Sequence, residues 1–255
     1  MRINKLLFIV VMSISICNSF VYAKSKPNLI FYCGITMVKP IQEIVKIIEK
    51  KYDCNIEISQ GGSKDLYNSL SYSKMGDLYL PGSNSYREKH LEDGYLLDSV
   101  YIGFNKAAIF VQKSNPRNIK KLEDLLNPDL LSILCNPNSG SIGKTTKKLL
   151  IKYKGEDFYD DAYDNAIEIG TDSRNLNKAL IDKNADLTIN WRATAYWNEN
   201  NKYIDIIKID DIYAPKKKLV ISLLSFSKYP DIAKALMKFA SSDEGKDIMK
   251  KYGFL

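Results

Sequence analysis

The sequence predicts an α/β fold of mostly parallel sheets with helices on both faces. Three observations carry that expectation. Short β-rich runs alternate with amphipathic helical runs along most of the chain, the pattern of β-α units whose crossovers cover a parallel sheet. Strand after strand ends in a turn of small or hydroxyl residues that opens a helix. A leader at residues 1–23, once removed, leaves enough of the 255 residues for one large domain or two of ordinary size.

The leader comes first in the chain. Arg2 and Lys5 precede an apolar run from Leu6 to Ile16, and Val21-Tyr22-Ala23 ends it with a small residue. This is a secretory signal with cleavage expected after Ala23, so the expected localisation is periplasmic. The run falls short of the ~20 residues that span a bilayer. Lipid anchoring through Cys17 is disfavoured by the bulk of Ile16.

The elements follow in order. Leu29 to Tyr32 forms a first strand and Met37 to Lys51 a helix, with Ile41, Ile44, Val45 and Ile48 on one face. Thr36 stands where an N-cap is expected. Asn55 to Ser59 is a strand that runs through Gln60-Gly61-Gly62-Ser63 into a helix carrying Leu66 and Leu70. Asp77 to Leu80 runs through Pro81-Gly82-Ser83 into another helix. Tyr101 to Gln112 is one longer β-type run, then come a helix near Leu122 to Leu126 and a strand from Ser132 to Leu134. Asn136 to Gly143 opens a basic helix beginning near Lys144. Ile167 to Ile169 is a strand, Thr171-Asp172-Ser173-Arg174 opens a helix to about Lys183, and Asp186 to Asn190 ends at Trp191-Arg192. After the charged turn Lys216-Lys217-Lys218, Leu219 to Ser225 is a strand. Helices over Pro230 to Ala240 and Asp243 to Lys251 close the chain.

Composition excludes several functions. Arg2 and Lys5 leave with the leader, which lowers the formal net charge from +7 to +5. The charges are interspersed rather than massed on one face, and no nucleic acid partner is expected. Cys33, Cys54 and Cys135 are an odd set whose spacing fits neither a zinc site nor a redox pair, so buried free thiols are expected and no cofactor or metal. The single histidine, His90, on an expected exposed helix, gives a Ser-His-Asp or Cys-His hydrolase nothing to build on. The 17 tyrosines lack the paired, acid-flanked arrangement suited to ferric ion.

The recurring turns are the functional signal. A helix N-terminus offers unpaired N–H groups and the positive end of its dipole, so it binds an anion without a counter-charge. Thr36, Ser63, Ser141 and Ser173 add hydroxyls there; the plain alternative is that Thr36, Ser63 and Asp172 cap their own helices. Asn138 to Thr145 nearly spells a nucleotide phosphate loop but lacks its first glycine. Trp191 can wall a pocket or sit in the core. Arg192 can hold a carboxylate or phosphate by two prongs, and Asp172 with Arg174 reads as a local ion pair.

Taken in series, LIFYCGITMVKPIQEIV, QGGSKDLYNSL, GDLYLPGS, NPNSGSIGK, TDSRNLNKAL, NWRATA and KKYGFL resemble the ligand segments of periplasmic molybdate and oxyanion-binding proteins of ABC importers, of the type 2 solute-binding fold. That resemblance covers nearly all of residues 27–255. It implies two lobes, with residues 24–104 and 219–255 in the first and 105–218 in the second, joined by strands crossing near Ile102 to Ile109 and Lys217 to Leu223. It implies ligand contacts from Thr36, Ser63 and Ser83 in lobe one, and from Ser141, Ile142, Ser173 and Trp191 in lobe two. Trp191 stands where the family has a tyrosine, and Arg192 where a small residue is common. Those departures open the choice between a bare oxyanion and a larger carboxylate, phosphate or sulfonate. The implied partners are a small anion and a membrane permease, and the implied state is a monomer. The rival reading is an exported adhesin that keeps the fold without transport; an enzyme lacks a nucleophile and base at matched spacing.

Overall fold

The structure, a computed structural model, describes residues 26–254. The expected leader and Cys17 lie outside the described residues.

The chain forms two five-stranded sheets. β1 (Asn28–Gly34), α1 (Val38–Tyr52), β2 (Asn55–Gly61), α2 (Ser63–Ser73), β3 (Leu78–Leu80), α3 (Asn84–Glu88) and β4 (Leu96–Asn105) come first. The chain then crosses to β5 (Ala107–Gln112), β6 (Ser132–Cys135), α4 (Ser141–Lys154), α5 (Glu156–Asp164), β7 (Glu168–Gly170), α6 (Ser173–Ile181), β8 (Leu187–Trp191) and β9 (Ile204–Lys208). It returns through β10 (Lys217–Leu224), α7 (Pro230–Ser241) and α8 (Asp243–Lys251). The strand orders are β2-β1-β3-β10-β4 and β7-β6-β8-β5-β9. In each sheet four strands run one way and one runs against them: β10 pairs antiparallel with β3 and β4, and β5 with β8 and β9. The reversed strand is the one that enters directly from the other sheet, because a chain crossing between lobes arrives pointing the opposite way.

The hinge is short. Lys106 alone separates β4 from β5, and Lys217 of β10 lies opposite Asn105 at the end of β4. The expected single run from Tyr101 to Gln112 is therefore two strands in different sheets, the first beginning at Leu96. Lys217 and Lys218 belong to β10 rather than to a turn. α5 and β9 were not expected, and α4 starts at Ser141 rather than near Lys144. α3 ends before His90, whose ring stacks on Tyr67 with centroids 3.6 Å apart.

Each lobe has its own core. Leu29, Phe31, Ile41, Ile44 and Ile221 anchor one and Phe110, Leu134, Leu150, Leu176 and Ile189 the other. Burial of such side chains is the main favourable term holding each lobe together. Cys33, Cys54 and Cys135 are buried and free. Asp77 is buried among donors: it accepts from the Ile30 and Tyr229 amides and the Ser227 hydroxyl at 2.9, 3.4 and 2.6 Å. That ties β1 to the turn after β10, a structural duty for an internal carboxylate.

Candidate anion site between the lobes

Four helical N-termini meet in one cavity between the sheets. Lobe one supplies Gly34, Ile35 and Thr36 after β1, Gly62 and Ser63 after β2, and Gly82 after β3. Lobe two supplies Gly140, Ser141 and Ile142 ahead of α4, and Asp172 and Ser173 ahead of α6. The enclosed space is about 20 Å3, measured to the centre of a water-sized oxygen. All of it lies at the carboxyl ends of parallel strands, where open α/β sheets bind ligands.

The caps explain why these termini have donors to spare. The residues preceding the helical turn at Ile35–Met37, α2 and α4 are Gly34, Gly62 and Gly140, and none makes a side-chain cap. First-turn amides that neither the helix nor a cap can satisfy are left to face the cavity. α6 is different: Asp172 accepts from the Arg174 and Asn175 amides at 2.7 and 3.3 Å and pairs with the Arg174 guanidinium at 3.2 Å. Thr36 and Ser63 are thus not caps. Thr36 sits inside the helical turn with its hydroxyl donating to Met37 Sδ at 2.8 Å, and Ser63 is the first residue of α2.

The hydroxyls are held by neighbours. Ser63 Oγ accepts from the Gly82 amide at 3.0 Å, while the Tyr79 phenol fixes the Ser63 carbonyl at 2.9 Å. Ser141 Oγ accepts from Trp191 Nε1 at 3.1 Å. Asn190 Nδ2 donates to the Ser173 carbonyl at 3.0 Å. Asn105, at the hinge, donates to the Gly82 carbonyl at 3.3 Å. Thr36, Ser63 and Ser173 are at most 3% exposed. Among the described residues no lysine or arginine lines the cavity, and the one charged side chain among them there, Asp172, is already engaged. The Cys135 thiol lies behind the α4 loop, and burial pushes it up to about 11.

The lobes touch across this space. A Cβ built on Gly82 would sit 2.4 Å from Ser141 Oγ, and one on Gly62 would sit 3.0 Å from the Ser139 carbonyl oxygen. The arrangement is a closed cleft lined with backbone donors. The family model of the bacterial extracellular solute-binding proteins matches residues 29–255. The chain belongs to that family.

Solved structures agree on the fold. The sulfate-binding protein SubI of Mycobacterium tuberculosis superposes with a TM-score of 0.76 at 16% identity, over 89% of this chain and 86% of SubI. AfuA of Actinobacillus pleuropneumoniae, solved with fructose-6-phosphate, gives 0.75 at 18% over 90% and 83%. A Clostridium difficile substrate-binding domain assigned to molybdenum ABC transport gives 0.67 at 16% over 89% and 98%. The chain is therefore a solute-binding protein with the two-lobed fold of these structures. No helix among the described residues is long and apolar enough to cross a membrane.

Of the solute-binding protein's expected contacts, Thr36, Ser63, Ser141, Ile142 and Ser173 line the cavity, and three do not. Ser83 caps α3, accepting from the Ser85 amide at 3.4 Å. Trp191 is 1% exposed and reaches the cavity only through Ser141. Arg192 points away: it donates to the Gly253 carbonyl at 3.3 Å and lies 5.9 Å from the Phe104 ring centre. Phe254, in turn, accepts from the β4 amide of Phe104 at 2.7 Å, so Arg192 staples the end of β8 to the C-terminal tail and lobe one. Arg192→Ala is expected to lower the melting temperature and leave oxyanion affinity within about twofold of the parent, by thermal unfolding and calorimetry. Sequence reasoning missed the cavity glycines. Their signal was present in QGGS, PGS and NSGSIG, where a glycine precedes each hydroxyl.

Proposed function

We propose that this protein captures a small, bare tetrahedral oxyanion such as sulfate or molybdate in the closed cleft and delivers it to an ABC importer permease. The observation that carries the reading is the convergence of three uncapped helical N-termini, with no cation among the lining residues. Hydrogen bonds from fixed amides to an ion in a dry site are strong, about 1.5–3 kcal/mol each, and they need no charged partner. Size supports the same class. A sphere of the cavity's volume has a radius of about 1.7 Å, the scale of the bond from the central atom to oxygen in such an ion. The small enclosed space favours such an ion over a sugar phosphate or a larger organic acid. The outward course of Arg192 removes the feature that favoured a second acidic group.

Calorimetry is the test. Saturable one-to-one binding of sulfate or molybdate, lost in Ser63→Ala and Thr36→Ala and without turnover, is the expected result. Failure of every inorganic oxyanion to bind, with both variants indistinguishable from the parent, would favour the adhesin reading. The pH dependence is a second check. The cavity's donors are amides and hydroxyls, and the Cys135 thiol behind them, held near about 11, stays neutral. Sulfate affinity is expected to be flat between about pH 6 and pH 9, measured by calorimetry across that range.

A further inference from the structure

The even spread of charge expected from the sequence does not hold at the mouth of the cleft. α4 continues past its cavity-forming first turn into Lys144, Lys147 and Lys148. Across the cleft, α2 and the turn after α3 bring Lys64, Lys89 and His90 to the same groove. The groove measures about 420 Å3 and is open to solvent, within the usual range of small-ligand sites. It shares no lining residue with the buried cavity.

Its electrostatics are unbalanced. Among the described residues, none of these five lysines forms a salt bridge. Two carboxylates come near: Asp93 accepts from His90 Nδ1 at 3.0 Å, and Asp65 adds to the burial and the nearby Cys135 that hold the Tyr86 phenol above its ordinary range. The Lys144 amine is held below the usual lysine range by burial and by the charges of Lys148 and, from the opposite lobe, Lys89. Closing the lobes therefore brings like charges together, which costs free energy unless an anion sits between them. Tyr86, whose ring lies 5.2 Å from Lys144 Nζ, together with Pro137 and Ile151 gives the groove apolar surface.

We propose that this groove is a second anion site, taking a small multivalent phosphorylated molecule that is gripped by lysines of both lobes. Its phosphate groups replace the missing counter-charges, and its carbon skeleton rests on Tyr86 and Ile151. The proposal does not depend on what the buried cavity binds.

The test is calorimetric titration with inorganic tripolyphosphate at about 0.15 M salt. One tripolyphosphate per protein is expected, not displaced by saturating sulfate. Lys147→Gln with Lys148→Gln should weaken it about tenfold or more, and Lys89→Gln alone, from the other lobe, about threefold. Sulfate affinity should stay unchanged in both variants. Stoichiometric displacement by sulfate, equal affinity in the lysine variants, or binding of a single-stranded oligonucleotide without tripolyphosphate binding would each overturn the proposal.

Discussion

Gly82→Val is expected to weaken oxyanion binding by two orders of magnitude or more, about 2.7 kcal/mol, while the ligand-free protein stays folded. The reason is that Gly82 is a point of close contact between the lobes. Even a Cβ would lie 2.4 Å from Ser141 Oγ and 3.2 Å from Ser141 Cβ. Rotating Ser141 aside breaks its bond from Trp191 Nε1, so the easier response is for the lobes to stay apart. An open cleft exposes the anion to water and separates the donors of lobe one from those of lobe two. Calorimetry with sulfate reads the loss, and circular dichroism of the ligand-free variant checks that the fold survives. Wild-type affinity in Gly82→Val would mean that closure is not needed for binding.

Gly143→Ala attacks stability instead. Its Cβ would meet the Asn136 carbonyl oxygen at 2.2 Å, the Asn136 carbonyl carbon at 2.5 Å and the Cys135 carbonyl oxygen at 2.7 Å. All three are backbone atoms of the strand end and loop on which α4 rests, so no side chain can swing away. Overpacking of this kind costs about 3 kcal/mol, which in a chain of this size lowers the melting temperature by roughly 6–12 °C. Thermal unfolding measures it. Because Gly143 also sets where Ser141 and Ile142 present their amides, oxyanion affinity should fall with it. A melting temperature equal to the parent's would show that the α4 loop yields more readily than its packing implies.

Much of this architecture was legible because strong periodicity and turn chemistry agree. α1 shows a clear apolar face, and QGGS and NSGSIG mark the places where a strand becomes a helix. What was lost was lost for physical reasons. One residue, Lys106, breaks the run from Tyr101 to Gln112, and a single-residue crossing between sheets leaves no turn signature. α5 carries EDFYDDAYD, whose acidic outer face hides the three buried positions Phe158, Tyr159 and Ala162. The site was half visible. Hydroxyls stand out in a sequence, so Ser83 was drawn in although it caps a five-residue helix, while the glycines that leave the amides uncapped were passed over. Arg192 was drawn in by its adjacency to Trp191. Trp191 ends β8 and turns its indole to Ser141, but the next residue opens a helical turn and aims elsewhere. The basic groove was invisible because Lys64, Lys89 and Lys144 are far apart in the chain and meet only across the cleft.

The position of β10 also governs the order in which the molecule can assemble. All five strands of the second sheet are contiguous in the chain, so that sheet is complete once residue 208 has emerged during synthesis. The first sheet waits longer, because β10 lies between β3 and β4 and no other strand among the described residues pairs with β4. Until Leu224 is delivered, β3 and β4 each present an open hydrogen-bonding edge, the kind that recruits stray strands from neighbouring chains. The amino-terminal lobe therefore matures last, and the wait between β4 and the end of β10 at Leu224 is the interval in which self-association threatens most.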